Sequence, residues 1–150
     1  MLLQANSYSL QQMGPLCELH FGRPTYLAIY LLAGLGCSIA SFVCTPNSSL
    51  GASGCIAGLL GAHWVWLESR KQLRGTKALT SMRKMYMQVI ATNAILGISM
   101  ANVDNWGHLG GLLSGALCAW LREGLQSRRS LPGGPPEPEP LTPARRRRKP

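Results

Sequence analysis

Charge is scarce in this sequence and almost missing from its middle. Only 14% of the 150 residues are charged, and just 6 are Asp or Glu. No charged residue occurs from Pro24 to Leu67, from Met85 to Val103, or from Asn105 to Leu121. A stretch of about 18 or more residues with few or no charges is a candidate bilayer span. The five cysteines (Cys17, Cys37, Cys44, Cys55 and Cys118) include no CxxC pair and no zinc spacing. They predict neither a disulfide nor a metal site, and scattered apolar Cys ordinarily acts as a small core residue. Met1 to Asn6 lacks the basic n-region and cleavage site of a secretory signal, and the chain reads as starting inside a helix.

Composition alone does not announce a membrane protein, since 46% of residues are hydrophobic and the mean hydropathy is only +0.06. The distribution does. Pro24 to Val43 predicts a span opened by a proline. Thr45-Pro46-Asn47-Ser48-Ser49 breaks the long uncharged run, after which Ser53 to Leu67, Met85 to Met100 and Trp106 to Leu121 predict further spans. Leu2 to Leu16 is also uncharged but carries Gln4, Asn6, Ser7, Ser9, Gln11 and Gln12, so it needs neighbours over its polar face. The expected fold is an all-α polytopic membrane helix bundle of four to five helices, in a domain covering residues 1–121. Leu131 to Pro140 is too rich in Pro, Gly and Glu to pack, so 122–150 reads as a disordered tail.

The 15 Lys and Arg give a net charge of +9, and Arg145 to Lys149 taken alone resembles a phosphate-binding patch. Alternating the spans across a bilayer places all 15 on one side. Val43 to Ala52 and Asn102 to Asn105 fall on the other. That is the positive-inside bias, and it favours lipid over nucleic acid as the partner. No cofactor is called for.

Two motifs carry chemistry. Gly51-Ala52-Ser53-Gly54 has the form G-x-S-G, and His108 to Gly115 has the form H-x-x-G-x-x-x-G. Singly, such a Ser is most often a packing residue and such a His a hydrogen-bonded structural group. Their positions make the pair informative. Ser53 precedes Glu68 by 15 residues and His108 precedes Arg122 by 14. At about 1.5 Å per residue both sit roughly 21–23 Å above the basic boundary. Gly54 and Gly58, and Gly107, Gly111 and Gly115, are spaced to let helix backbones approach closely. Ser53 is then the candidate nucleophile and His108 its general base, with backbone N–H groups at the start of the Ser53 helix available to an oxyanion. His63 stands about 15 Å along the axis from Ser53, and His20 lies at the basic boundary, so neither serves as the base. Asp104 could in principle orient His108, but it sits on the exposed turn before it and reads as a solvated cap.

These residues resemble the rhomboid intramembrane serine proteases, most closely the plastid and cyanobacterial branch. Asn6 to Leu10 with Gly14-Pro15, then Phe21-Gly22-Arg23 and Tyr26 to Tyr30, are similar to that family's second and third helices. The resemblance covers about residues 2 to 121. It implies a Ser–His dyad at Ser53 and His108, without a metal. It also implies that Asn6 assists the oxyanion hole and that the turn from Ser99 to Asn105 gates substrate entry. The substrates would be transmembrane segments of other proteins, and the location a multi-pass site in a membrane, with the plastid suggested by the branch. Two features depart from the family. Leu2 stands where the family has a His, and the first of six helices is expected to be missing. They motivate the alternative of a non-catalytic membrane binding protein or an inactive truncated form.

Overall fold

Every described element is a helix, and each begins or ends where the sequence supplies a reason. The computed structural model describes residues 2–45, 52–70, 75–77, 79–84, 86–88, 91 and 104–129. Helix α1 is Leu2–Phe21, α2 is Arg23–Cys44, α3 is Ser53–Ser69 and α4 is Asn105–Arg129. Further helical residues lie between α3 and α4 at 79–84 and 86–88. There is no strand among the described residues. Most of the expected span Met85 to Met100, the turn from Ser99 to Val103, Gly51 and the tail from 130 onward lie outside the described residues.

The α1–α2 turn is a single residue. Gly22 takes φ 77, a left-handed conformation that glycine adopts without steric cost. Its N–H closes α1 on Glu18 O at 2.9 Å, and its carbonyl accepts Tyr26 N–H at 2.9 Å, with Pro24 in the first turn of α2. The sequence suggested a first helix ending near Leu16. The helix continues through Pro15 to Phe21 because Met13, Cys17 and Phe21 share one face at four-residue spacing and are all buried.

Helix α3 is the centre of the bundle. It packs on α1, α2 and α4. Gly54, Ile56 and the whole run from Gly58 to His63 are buried, so its apolar character extends around the helix. Around it, α2 and α4 turn large apolar side chains outward: Leu27, Leu31, Leu35, Ile39 and Phe42 on α2, and Leu109, Leu113, Leu117 and Leu121 on α4.

One described helix, Arg23–Cys44, is both long and apolar enough to cross a membrane by length and composition, with mean hydropathy 2.1. The expected spans in α3 and α4 fall short of that standard for identifiable reasons. Helix α3 has 17 residues, and α4 is diluted by the Gly, Ser and His of its packing faces. Helix α4 also continues past Leu121 to Arg129. The change of composition at Arg122 marks a change of surroundings rather than of backbone, and Arg122 bonds Gln126 one turn on at 3.2 Å.

The end of the bundle nearer the α3 C-terminus is clamped by rings. His20 Nδ1 lies 2.6 Å from His63 Nε2, and His63 Nδ1 pairs with the Tyr86 hydroxyl. Trp66 stacks on His20 with centroids 3.7 Å apart, and Arg70 lies over the same indole at 4.8 Å. His63 and Tyr86 are completely buried. Arg70 also reaches Glu123 of α4 at 3.5 Å, which sets the C-terminal ends of α3 and α4 side by side.

Candidate functional site

Ser53 is the first residue of α3, and His108 sits in the first turn of α4. What brings these helix starts together is the absence of side chains between them. A methyl group on Gly111 would fall on the backbone carbonyl of Gly54, and one on Gly115 would fall on that of Gly58. A methyl on Gly54 would meet Cys37 of α2 first and would stand 3.8 Å from the Gly107 carbonyl. Helices α3 and α4 therefore run in backbone contact from their first turns onward, as small residues at four-residue spacing permit. Gly54, Gly58, Gly107, Gly111 and Gly115 all lie in this seam.

Ser53 and His108 are both half-buried, and no hydrogen bond joins them in this structure. In unliganded active sites such bonds are commonly long or misaligned and tighten on the substrate. The first helical hydrogen bond of α3 is Ile56 N–H to Ala52 O at 3.0 Å. The N–H groups just before it have no partner within the helix and face the same end of the bundle.

Asn6 is half-buried on α1. His20 of α1 is level with His63 of α3, from which Asn6 is 14 residues away and Ser53 is 10. Asn6 is thus at the Ser53 end of the bundle, about one helical turn beyond Ser53. His20 and His63 bond each other at the opposite end, well removed from Ser53. The open groove lined by Trp64, Glu68, Arg70, Trp120 and Glu123 is at that opposite end too.

Asp104 corrects the sequence reading. It is a cap, since Oδ1 accepts the Gly107 N–H at 2.9 Å, but it is not solvated: only 9% of it is exposed. The same oxygen accepts the Thr45 hydroxyl at 3.1 Å, and the Ser41 hydroxyl also bonds the carboxylate. Burial pushes the Asp104 carboxyl up. The hydrogen bonds from Ser41, Gly107 and Thr45, with His108 nearby, outweigh that and hold it below the usual carboxylate range. Sequence reasoning missed this because the partners Ser41 and Thr45 lie about sixty residues away. The only local signal was an acid three residues before a glycine at a helix start.

The Rhomboid domain model matches residues 1–123. "Rhomboid protease GluP" of Bacillus subtilis is 38% identical over 125 residues, covering 78% of this chain and 22% of that protein. "RHOMBOID-like protein 2" of Arabidopsis thaliana is 39% identical over 114 residues, covering 75% of this chain and 35% of that protein. "RHOMBOID-like protein 9, chloroplastic", also from Arabidopsis, is 26% identical over 113 residues, covering 73% of this chain and 25% of that protein. The chain spans between about a fifth and a third of the length of these relatives. No solved structure matches.

Proposed function

Because the chain belongs to the rhomboid family of intramembrane proteases, we propose that it is a serine endopeptidase cutting transmembrane segments of other proteins, with Ser53 as nucleophile and His108 as general base. The observation that carries this reading is the backbone contact of α3 and α4 at Gly54 and Gly111, which holds the two helix starts together. Ser53 Oγ attacks the scissile carbonyl while His108 takes its proton and passes it to the leaving amine. A water then repeats the sequence on the acyl-enzyme. The backbone N–H groups at the start of α3 and the Asn6 side chain hold the oxyanion. The substrate is a single membrane helix carrying small or helix-breaking residues near the cut, because a helical peptide bond is shielded and internally bonded.

Residues 1–121 form the multi-pass membrane domain, and the basic residues beyond them rest on anionic lipid headgroups. The plastid membrane is the proposed location. A relative named chloroplastic supports it, although another is named mitochondrial.

The test is labelling of the detergent-solubilised chain with a fluorophosphonate probe. Wild type is expected to label and Ser53→Ala not to; equal labelling of both removes Ser53 from the mechanism. His108→Ala should slow labelling by on the order of 10²–10⁴-fold. The second reading, a non-catalytic membrane binding protein, is favoured by Leu2 at the position where the family has His. Folded wild type that stays unlabelled while retaining client helices through purification would establish it.

A further inference from the structure

No hydrogen bond reaches the His108 ring from any described residue. The turn that carries the ring is held by Asp104. The Asp104 carbonyl accepts the His108 N–H at 3.0 Å, and its Oδ1 accepts the Gly107 N–H at 2.9 Å. The same carboxylate receives the Thr45 and Ser41 hydroxyls from the end of α2. Ser41 is itself buried, with 6% exposed, and its carbonyl accepts the Thr45 N–H at 2.8 Å. The other oxygen, Oδ2, covers Gly107 so closely that a methyl there would stand 2.5 Å from it.

Building on the protease reading, we propose that Asp104 is a positioning residue for His108, fixing the start and roll of α4 by bonding it to the C-terminal end of α2. One carboxylate satisfies donors from two helices, so the first turn of α4 cannot fray or rotate without breaking contacts to α2. A helix turns about 100° per residue, so a slip of one residue at this cap would carry the imidazole away from Ser53. Asp104 does not touch the reacting atoms. Its contribution is made through hydrogen bonds that an amide oxygen in the same place also accepts.

Asp104→Ala, Asp104→Asn and Thr45→Val test this in the whole chain in detergent micelles, with two readouts. The first is hydrogen exchange of the amides at 105–110. The second is fluorophosphonate inactivation resolved into its maximal rate and its half-saturating concentration, with melting recorded for each variant. In Asp104→Ala the amides should exchange about five- to tenfold faster. Its maximal inactivation rate should fall on the order of 10²-fold, with the half-saturating concentration unchanged. Asp104→Asn should bring both readouts back to within about threefold of wild type, since Asn and Asp cap comparably. Wild-type exchange in a folded Asp104→Ala overturns the proposal, and so does an Asn variant as impaired as the Ala variant. Should Asp104→Ala fail to fold, Thr45→Val removes one of the two ties to α2 and leaves Asp104 itself in place. Faster exchange with a severalfold slower inactivation then supports the proposal, and wild-type values overturn it. If wild type itself does not label, the protease reading falls alone, and the exchange rates still decide whether Asp104 holds this turn.

Discussion

At the scale of single residues, the glycines separate into those that carry packing and those that do not. Gly111 faces the backbone of Gly54, which has no flexible end to move aside. Gly111→Ala should force α3 and α4 apart and destabilise the bundle by about 1–3 kcal/mol, the usual cost of overpacking. Gly124 lies in the same helix with nothing within 4 Å of where its methyl would be. Gly124→Ala should stabilise by about 0.5–1 kcal/mol through lower chain entropy. Equilibrium unfolding in mixed micelles checks both signs, and a Gly111→Ala variant as stable as wild type would contradict the close seam. The seam was legible in the sequence, because Gly54 with Gly58 and Gly107 with Gly111 and Gly115 repeat at helical spacing. The burial of Asp104 was not, because it depends on Thr45 and Ser41 arriving from a helix distant in sequence.

At the scale of elements, α4 is built inside out relative to a helix of a water-soluble protein. Its small stripe, Gly107, Gly111, Gly115 and Ala119, is buried, and Gly110 and Ser114 meet Gly36 of α2. Its large stripe, Leu109, Leu113, Leu117 and Leu121, faces outward. Lipid gives no reason to bury leucine and every reason to let backbones touch, so small-in and large-out is the stable arrangement there. At the other end of α3, the clamp between α1 and α3 relies on polar rings instead. His20 lies beyond the apolar stretch of α1, where burial first and Arg70 second push its imidazole below the ordinary value. The groups facing it are His63, Trp66 and Arg70, with Tyr86 behind His63. Because the folded chain binds this proton less readily than the unfolded chain, His20 leaves stability unaffected well above about pH 6.5 and erodes it as the pH falls below that. His20→Gln should flatten this acid-side loss between about pH 7.5 and 5; an unchanged slope would assign it elsewhere. Tyr86→Phe strips His63 of a buried partner and should cost about 1–3 kcal/mol at any pH in that range. The ring cluster was not foreseen, since two histidines and a tyrosine scattered over three segments show no shared period.

At the scale of the whole molecule, two measures of membrane character give different counts, and their difference is physical. Length and hydropathy identify one described helix, Arg23–Cys44. Charge segregation identifies every uncharged run. Length excludes α3, which has 17 residues, whereas hydropathy marks down α4, whose glycine, serine and histidine pack against neighbouring helices. The placement of charge is free of that bias, because a lysine is costly in lipid wherever its helix packs. The fold adds a constraint. Thr45, beside Cys44, meets Asp104 at the start of α4, while Arg70 at the end of α3 meets Glu123 near the end of α4. Cys44 and Ser127, both exposed, therefore mark opposite ends of the bundle. Across a membrane, a charged maleimide that cannot cross should reach Cys44 from one side of sealed vesicles and the cysteine of a Ser127→Cys variant only from the other. The basic residues put the Ser127 side on the positive-inside face. Labelling of both sites from one face of intact vesicles would mean that this bundle lies on the bilayer rather than through it, and the membrane-spanning arrangement proposed for its active site would fall with that result.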